Sequence, residues 1–127
     1  METNKRILVI DDEAHIRRVI SLKLKNRGYD VMMATDGEEG LNIIQTKKPD
    51  VVISDIIMPK LDGRRLCEKT NHLKSERPFL TIIMTCRIST DVSEWIEKMQ
   101  DTLFMEKPFS PSKLIEKIDR YFEMGKE

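Results

Sequence analysis

The sequence predicts a doubly wound α/β domain. Five short apolar runs alternate with five helical patterns, and each run ends at polar or turn-forming residues. Strands that alternate with helices build a parallel sheet covered on both faces and joined by right-handed crossovers. The 127 residues are the size of one domain, expected to span 1–127. At this length about two thirds of the unfolded surface can be buried, so the core needs neither disulfides nor a structural metal.

Ile7 to Ile10 is the first run and stops at Asp11 and Asp12; an unbroken apolar stretch of this kind marks a strand buried on both faces. Ile16, Val19, Ile20 and Leu24 then recur at helical spacing until Gly28, a residue suited to ending a helix. Val31 to Ala34 is the second run. Asp36-Gly-Glu-Glu39 offers a capping-box-like start to a helix carrying Leu41, Ile43 and Ile44, which Pro49 closes. Val51 to Ile53 runs into Asp55, and Pro59 with Asp62-Gly63 marks a turn before one polar helix through Leu66 and Leu73. Phe79 to Met84 leads to Thr85. Val92, Trp95, Ile96 and Met99 fit an amphipathic helix with Ser89, Thr90 or Asp91 as its cap. Leu103 to Met105 is the fifth run. Ser110-Pro111 supplies the N-cap and first-turn proline of a last helix, whose face is Leu114, Ile115, Ile118, Tyr121 and Phe122.

Hydrophobic content of 39% against 35% charged argues against disorder. The 22 basic and 22 acidic residues cancel, which removes the electrostatic reason to expect general nucleic-acid or membrane-surface binding. Partners must be recognised locally. Cys67 and Cys86 are too few and too irregularly placed for a disulfide framework or a zinc site, and point to a reducing cytosol. The opening METNKRILVIDDE returns to charge too soon for a signal peptide or a membrane span. The basic stretch Arg17, Arg18, Lys23, Lys25 and Arg27 reads as a solvated helix face that can also dock a partner, and His15 and His72 read as exposed.

Parallel sheets of this type bind ligands beyond the carboxyl ends of their strands. Asp11 and Asp12 follow the first strand, Asp55 the third, Thr85 the fourth and Lys107 the fifth, so all five face one rim. Crowded carboxylates repel and raise one another's pKa unless a cation enters. Magnesium answers that need: it keeps several waters and takes one or two carboxylates plus phosphate oxygens, with manganese able to substitute. Its charge would admit an anionic phosphoryl group. Lys107 is a compact charge suited to a phosphate oxygen, the Thr85 hydroxyl can donate a hydrogen bond, and an aspartate could act as nucleophile to form an aspartyl phosphate.

These residues resemble the receiver domain of two-component response regulators, in its chemotaxis-regulator-like form. The likeness rests on ILVIDDE at 7–13, VVISDIIMPKLDG at 51–63, TIIMT at 81–85 and EKPFSP at 106–111, in that order, and extends from Lys5 to about Glu123. The resemblance implies a flavodoxin-like fold of strand order 2-1-3-4-5. It implies that Asp55 accepts a phosphoryl group, that Asp11 and Asp12 hold magnesium with Asp55 and the Ile57 backbone carbonyl, and that Lys107 binds the phosphoryl group. A cis Lys107-Pro108 bond would shape the turn. Thr85 would be the switch hydroxyl and Phe104 the switch aromatic, altering the face made by the fourth helix, fifth strand and last helix. Two charge-assisted bonds of roughly 1.5 to 3 kcal/mol each, against about 5.5 kcal/mol for a complete reversal of a two-state mixture, would bias the population without completing the change.

The implied partners are a sensor histidine kinase or histidine phosphotransfer protein and a downstream target or fused output domain. The expected setting is the cytoplasm, with no direct nucleic-acid or membrane contact, no output domain within the chain, and a monomer or weak phosphorylation-dependent dimer. The chain would assist its own phosphorylation and dephosphorylation without being a turnover enzyme. The competing readings are a phosphate-independent interaction module and a magnesium-dependent phosphohydrolase; the second is disfavoured because Ile57 stands where the usual second aspartate would be. Cys86 and Arg87 depart from the small residue expected after Thr85, and the segment Met99 to Thr102 lacks the family's glycine-alanine turn. Ile57 has no polar group to position a hydrolytic water, so self-dephosphorylation is expected to be slow.

Overall fold

The computed structural model describes residues 5–85, 90–107 and 110–124. The five apolar runs are strands: β1 (Arg6–Ile10), β2 (Asp30–Ala34), β3 (Val51–Asp55), β4 (Leu80–Thr85) and β5 (Thr102–Glu106). Between and after them lie α1 (Ala14–Asn26), α2 (Gly37–Lys47), α3 (Gly63–Thr70), α4 (Leu73–Glu76), α5 (Thr90–Glu97) and α6 (Pro111–Met124). All strand pairs are parallel, in the expected order β2-β1-β3-β4-β5.

Alternation along the central strands explains why the runs are apolar throughout. Ile7 and Val9, with Val51, Ile53, Ile82 and Met84, meet Ile20 and Leu24 of α1 and Leu114 and Ile118 of α6. Leu8, Ile10 and Val52 point the other way, onto Ile44 of α2 and Leu66 of α3. Ile83 joins Cys67, Val92, Trp95 and Ile96 beneath α5. A side chain of this size is worth roughly 1.5 to 3 kcal/mol when fully buried, so both faces of the sheet must be apolar to retain their helices.

The caps expected at Asp36 and Ser110 are in place, while Ser89, the first candidate for the cap of α5, lies outside the described residues. Asp36 accepts from the Glu39 amide at 2.9 Å, while the Glu39 carboxylate reaches back to the Thr35 amide at 2.6 Å, one residue beyond a standard capping box. Asp62 caps α3 through the Arg65 amide at 2.8 Å, and the Lys113 amide lies 3.4 Å from Ser110 Oγ at the start of α6. Gly28 takes a φ of 98° just after α1, the left-handed geometry that suits glycine there. Asp119 of α6 accepts from Arg27 at 2.7 and 3.0 Å and from the Tyr29 hydroxyl, tying the α1–β2 connection to the last helix.

The single polar helix expected through Leu66 and Leu73 is two. Thr70 Oγ1 donates back to the Leu66 carbonyl at 2.8 Å, and Asn71 turns its side-chain oxygen to the Gln100 amide at 3.0 Å. α4 then resumes as a single turn, which carries Lys74 inward. Lys74 is 4% exposed, and its ammonium donates to Gln100 O at 2.5 Å and to Asp101 O and Thr102 Oγ1 at 3.1 Å each.

Two glycines fix the loop after β3. A Cβ at Gly37 would lie 1.8 Å from the Leu61 carbonyl oxygen, and one at Gly63 2.6 Å from the Asp55 carbonyl oxygen, so backbone rather than a pliable side chain blocks both. At Gly40 the obstruction is the tip of Ile10, 2.4 Å away. Gly37→Ala is therefore expected to cost at least about 2 kcal/mol of unfolding free energy and Gly40→Ala less, measured by denaturant titration; equal costs would contradict the backbone contact.

Burial pushes the Lys74 ammonium down to about 8 from 10.5, with Cys67 and Asp101 opposing the shift. The unfolded lysine keeps its proton to higher pH, so the cost of burying its charge is complete below about pH 8 and relieved as pH rises toward 10.5. Burial also pushes the Cys67 thiol up to about 12 from 9.0, which erodes stability above pH 9.0 as the unfolded thiol ionises. Between pH 8 and 9 the Lys74 contribution is thus separable. Unfolding free energy of the wild type relative to Lys74→Met should rise by on the order of 1 kcal/mol across that window, and parallel pH profiles for the two proteins would refute the assignment.

Candidate functional site

The strand order makes β1 and β3 neighbours, with Ile10 opposite Ser54. Asp11 and Asp55, one residue further on, therefore leave the sheet at the same level. One carboxylate oxygen from each of Asp11, Asp12 and Asp55 lies within 4.8 Å of the others. Lys107 arrives from the end of β5, its amide bonded to the Thr85 carbonyl at 2.7 Å. Its ammonium donates to Asp55 Oδ2 at 2.9 Å and lies 3.7 Å from Asp11 Oδ2.

The carboxylates differ in environment. Asp11 is fully buried. Its Oδ1 accepts from the Glu13 amide at 2.9 Å, a turn that also starts α1, whereas Oδ2 has no hydrogen-bond partner among the described residues. Burial pushes the Asp11 carboxyl above its ordinary value; the Glu13 amide and Lys107 pull it down, and the charges of Asp55 and Glu13 push it up. Asp12 is exposed and Asp55 half-buried, with Asp55 Oδ1 lying 3.4 Å from the Ile57 amide. Ile57 itself is 80% exposed, an apolar side chain two residues beyond Asp55.

Burying a carboxylate oxygen without a donor is costly, and one lysine cannot neutralise three carboxylates. An orphaned hard oxygen beside two further carboxylates fits the donor set of a magnesium-sized ion. Asp11, Asp12 and Asp55 could hold such an ion.

Thr85 is 5% exposed at the end of β4. Phe104 is half-buried on β5, in register with Ile83 and packed against the cluster containing Val92, Trp95 and Ile96 of α5. The expected residues therefore converge on one rim, with Phe104 beneath it on the α5 side. Cys86, Arg87 and Pro108, with the expected cis bond, lie outside the described residues.

Three participants were not anticipated from sequence. Gly63 allows α3 to approach the Asp55 carbonyl, and the DG pair before a helix was its visible signal. Ser54, fully buried, donates to the same carbonyl at 2.9 Å. Arg17, expected on a solvated face, is half-buried and donates to the Asp11 carbonyl at 2.6 Å; nothing in its helical spacing distinguishes it from the exposed Arg18. His15 and His72 are exposed as expected.

Among the described residues no helix is long and apolar enough to cross a membrane. The family model of the response regulator receiver domain matches residues 7–119. The probable transcriptional regulator ycf27 of Guillardia theta is 41% identical over 120 residues, covering 93% of this chain and 45% of that protein. The alkaline phosphatase synthesis transcriptional regulatory protein PhoP of Bacillus subtilis is 40% identical over 109 residues, covering 85% and 44%. This chain thus spans less than half the length of these relatives. The chemotaxis protein CheY4 of Vibrio cholerae superposes with a TM-score of 0.83 at 28% identity, covering 93% of this chain and 98% of that one. Parallel strands in this order and a family match over most of the chain lead to one conclusion: the protein belongs to the response regulator receiver domain family.

Proposed function

We propose that the chain is a phosphoacceptor module of a two-component relay, with Asp55 as the acceptor. The observation that carries this reading is the buried Asp11 Oδ2, which has no hydrogen-bond donor among the described residues, in a residue clustered with Asp12 and with Asp55, to which the Lys107 ammonium donates. Asp11, Asp12, Asp55 and the Ile57 backbone carbonyl would hold magnesium, which supplies positive charge against the incoming phosphoryl oxygens. An Asp55 oxygen attacks phosphorus; the phosphorus–nitrogen bond of a phosphohistidine breaks as the phosphorus–oxygen bond forms, and the imidazole keeps the bonding pair and takes a proton from water.

Phosphorylation turns the Asp55 carboxylate to which Lys107 is bound into an acyl phosphate, so Lys107 transfers to the phosphoryl oxygens. The Thr85 hydroxyl donates to the same group. Because the Lys107 amide is bonded to the Thr85 carbonyl, movement of either strand end is felt by the other, and Phe104 with α5 reports it. The donor is a histidine kinase or phosphotransfer protein in the cytoplasm, the receiving side is a target or an attached output domain, and dimerisation through the α5–β5–α6 face is weak and phosphorylation-dependent. The protein is a substrate and switch rather than a turnover enzyme.

Incubation with acetyl phosphate and magnesium, read by intact mass, is expected to add one phosphoryl group to the wild type. Chelation of the metal and Asp55→Asn should each abolish the addition. No adduct with any donor would leave a phosphate-independent interaction module.

Asp11→Asn removes a charge from the cation site and is expected to weaken magnesium binding by at least about tenfold, measured by titration of the intrinsic Trp95 fluorescence or by calorimetry. An unchanged affinity would remove Asp11 from the site.

Ile57→Asn places a polar group beside the acyl phosphate and should shorten its lifetime several-fold in isolated phosphoprotein. A wild type that already loses its label rapidly would contradict the role given to Ile57.

A further inference from the structure

We propose that Arg17 is the positioning residue of the acidic pair: by holding the Asp11 carbonyl it fixes how Asp11 and Asp12 are presented to a divalent cation. The cation belongs to the phosphoacceptor reading; the hold on Asp11 does not depend on it.

The reach of Arg17 follows from helix geometry. Asp11 is the first residue past β1, and α1 begins at Ala14. Side chains of a helix lean toward its N-terminus, so Arg17, in the first turn, points back to the strand end from which the helix departs. Its guanidinium donates to the Asp11 carbonyl at 2.6 Å, whereas Arg18, the next residue round the helix, is exposed.

The position is unfavourable for a cation on its own. The N-terminal end of a helix carries partial positive charge, and the first turn of α1 has no acidic residue to offset it. Half-burial of the arginine adds a desolvation cost. The bond that compensates goes to a main-chain carbonyl, not to a carboxylate. Neither a cation at the acids nor a phosphoryl group on Asp55 would take that partner away.

Asp11 is held through every polar atom but one. Its amide donates to the Ala34 carbonyl of β2 at 3.2 Å, its Oδ1 accepts from the Glu13 amide at 2.9 Å, and its carbonyl accepts from Arg17. Oδ2 alone has no hydrogen-bond partner among the described residues, with the Lys107 ammonium 3.7 Å away. The carbonyl that Arg17 holds belongs to the peptide joining Asp11 to Asp12. That peptide is planar, so fixing its oxygen also fixes the Asp12 amide and the direction in which Asp12 leaves the strand. Asp12 is exposed and has no packing to hold it in place. Its carboxylate is thereby kept beside those of Asp11 and Asp55, one oxygen of each lying within 4.8 Å of the others.

A guanidinium this near the acids has a second way to act, through its charge, and the two roles differ in sign. Removing a neighbouring positive charge strengthens the attraction of carboxylates for a divalent cation. Releasing the Asp11–Asp12 peptide weakens it, because the two donors must then be ordered when the cation binds.

Calorimetric titration of the intact protein with magnesium reads that sign. Arg17→Met is expected to weaken binding by about tenfold, while Arg18→Met, which removes the same charge from the next position, should not weaken it. Unchanged or tighter binding in Arg17→Met, or an equal loss in Arg18→Met, overturns the positioning role. In the metal-free protein, hydrogen exchange at the Glu13 amide should accelerate several-fold in Arg17→Met and not in Arg18→Met; equal exchange in the wild type and Arg17→Met overturns the hold on Asp11. Arg17→Lys keeps the charge and a donor, should fall between the wild type and Arg17→Met in both measurements, and covers the case in which Arg17→Met fails to fold. A wild type that binds no magnesium counts against the phosphoacceptor reading instead, and exchange at Glu13 alone then decides whether Arg17 holds Asp11.

Discussion

The ammonium of Lys107 between the carboxylates of Asp55 and Asp11 is the interaction on which the rest of the site depends. Among the described residues, the Lys107 ammonium and the Arg17 guanidinium on the Asp11 carbonyl do not balance three carboxylates, and the lysine is shared unequally, 2.9 Å from Asp55 and 3.7 Å from Asp11. Asp11 receives the smaller share although it is the more buried. An arrangement that neutralised all charges in the resting protein would have no capacity for a cation or for an incoming phosphoryl group. In the proposed reading, incomplete compensation is what lets this rim take a cation and a phosphoryl group, and the surrounding core must be stable enough to sustain it.

That core acts as a positioning device. Parallel strands all end on one side, so five connections deliver their first polar residues to one edge. Register then sets which of them meet: Ile10 opposite Ser54 brings Asp11 level with Asp55, and Met84 opposite Asp55 sets Thr85 one residue beyond it. The backbone around Asp55 is further confined, by the Ser54 hydroxyl on its carbonyl and by α3 approaching at Gly63. In the proposed phosphoacceptor reading, this confinement would hold the Asp55 oxygen where phosphorus arrives.

The parts of this molecule legible in the sequence are those determined by local pattern. Runs such as Ile7 to Ile10, short and alternating with helical patterns, read as strands covered on both faces, and the residue that ends each run then falls at the rim. Strand order was legible only through the family likeness, because apolar periodicity carries no information about which strands are neighbours. The break between α3 and α4 was hidden because it is made by partners distant in sequence: Asn71 and Lys74 leave the helical pattern to serve Gln100, Asp101 and Thr102. Composition treats a lysine in a polar helix as solvated, and Lys74 violates that rule for a reason that lies about 26 residues away. Arg17 was missed in the same way. Its i+4 neighbours do not show that the Asp11 carbonyl lies within reach.

The missing glycine-alanine turn before β5 and the buried lysine are two sides of one solution. Without glycine, Asp101 has to occupy the left-handed region at an energetic cost, and the compensation comes from cross-chain bonds instead of local backbone freedom. The result differs in kind from the lysine at the other end of β5. Lys107 binds carboxylates, which in the proposed reading a metal ion would compensate and phosphorylation of Asp55 would alter, so its partners can be exchanged. Lys74 binds two carbonyls and a hydroxyl, neutral groups that no chemistry at the rim alters. One strand thus joins, at its two ends, a lysine bound to carboxylates and a lysine bound to neutral oxygens.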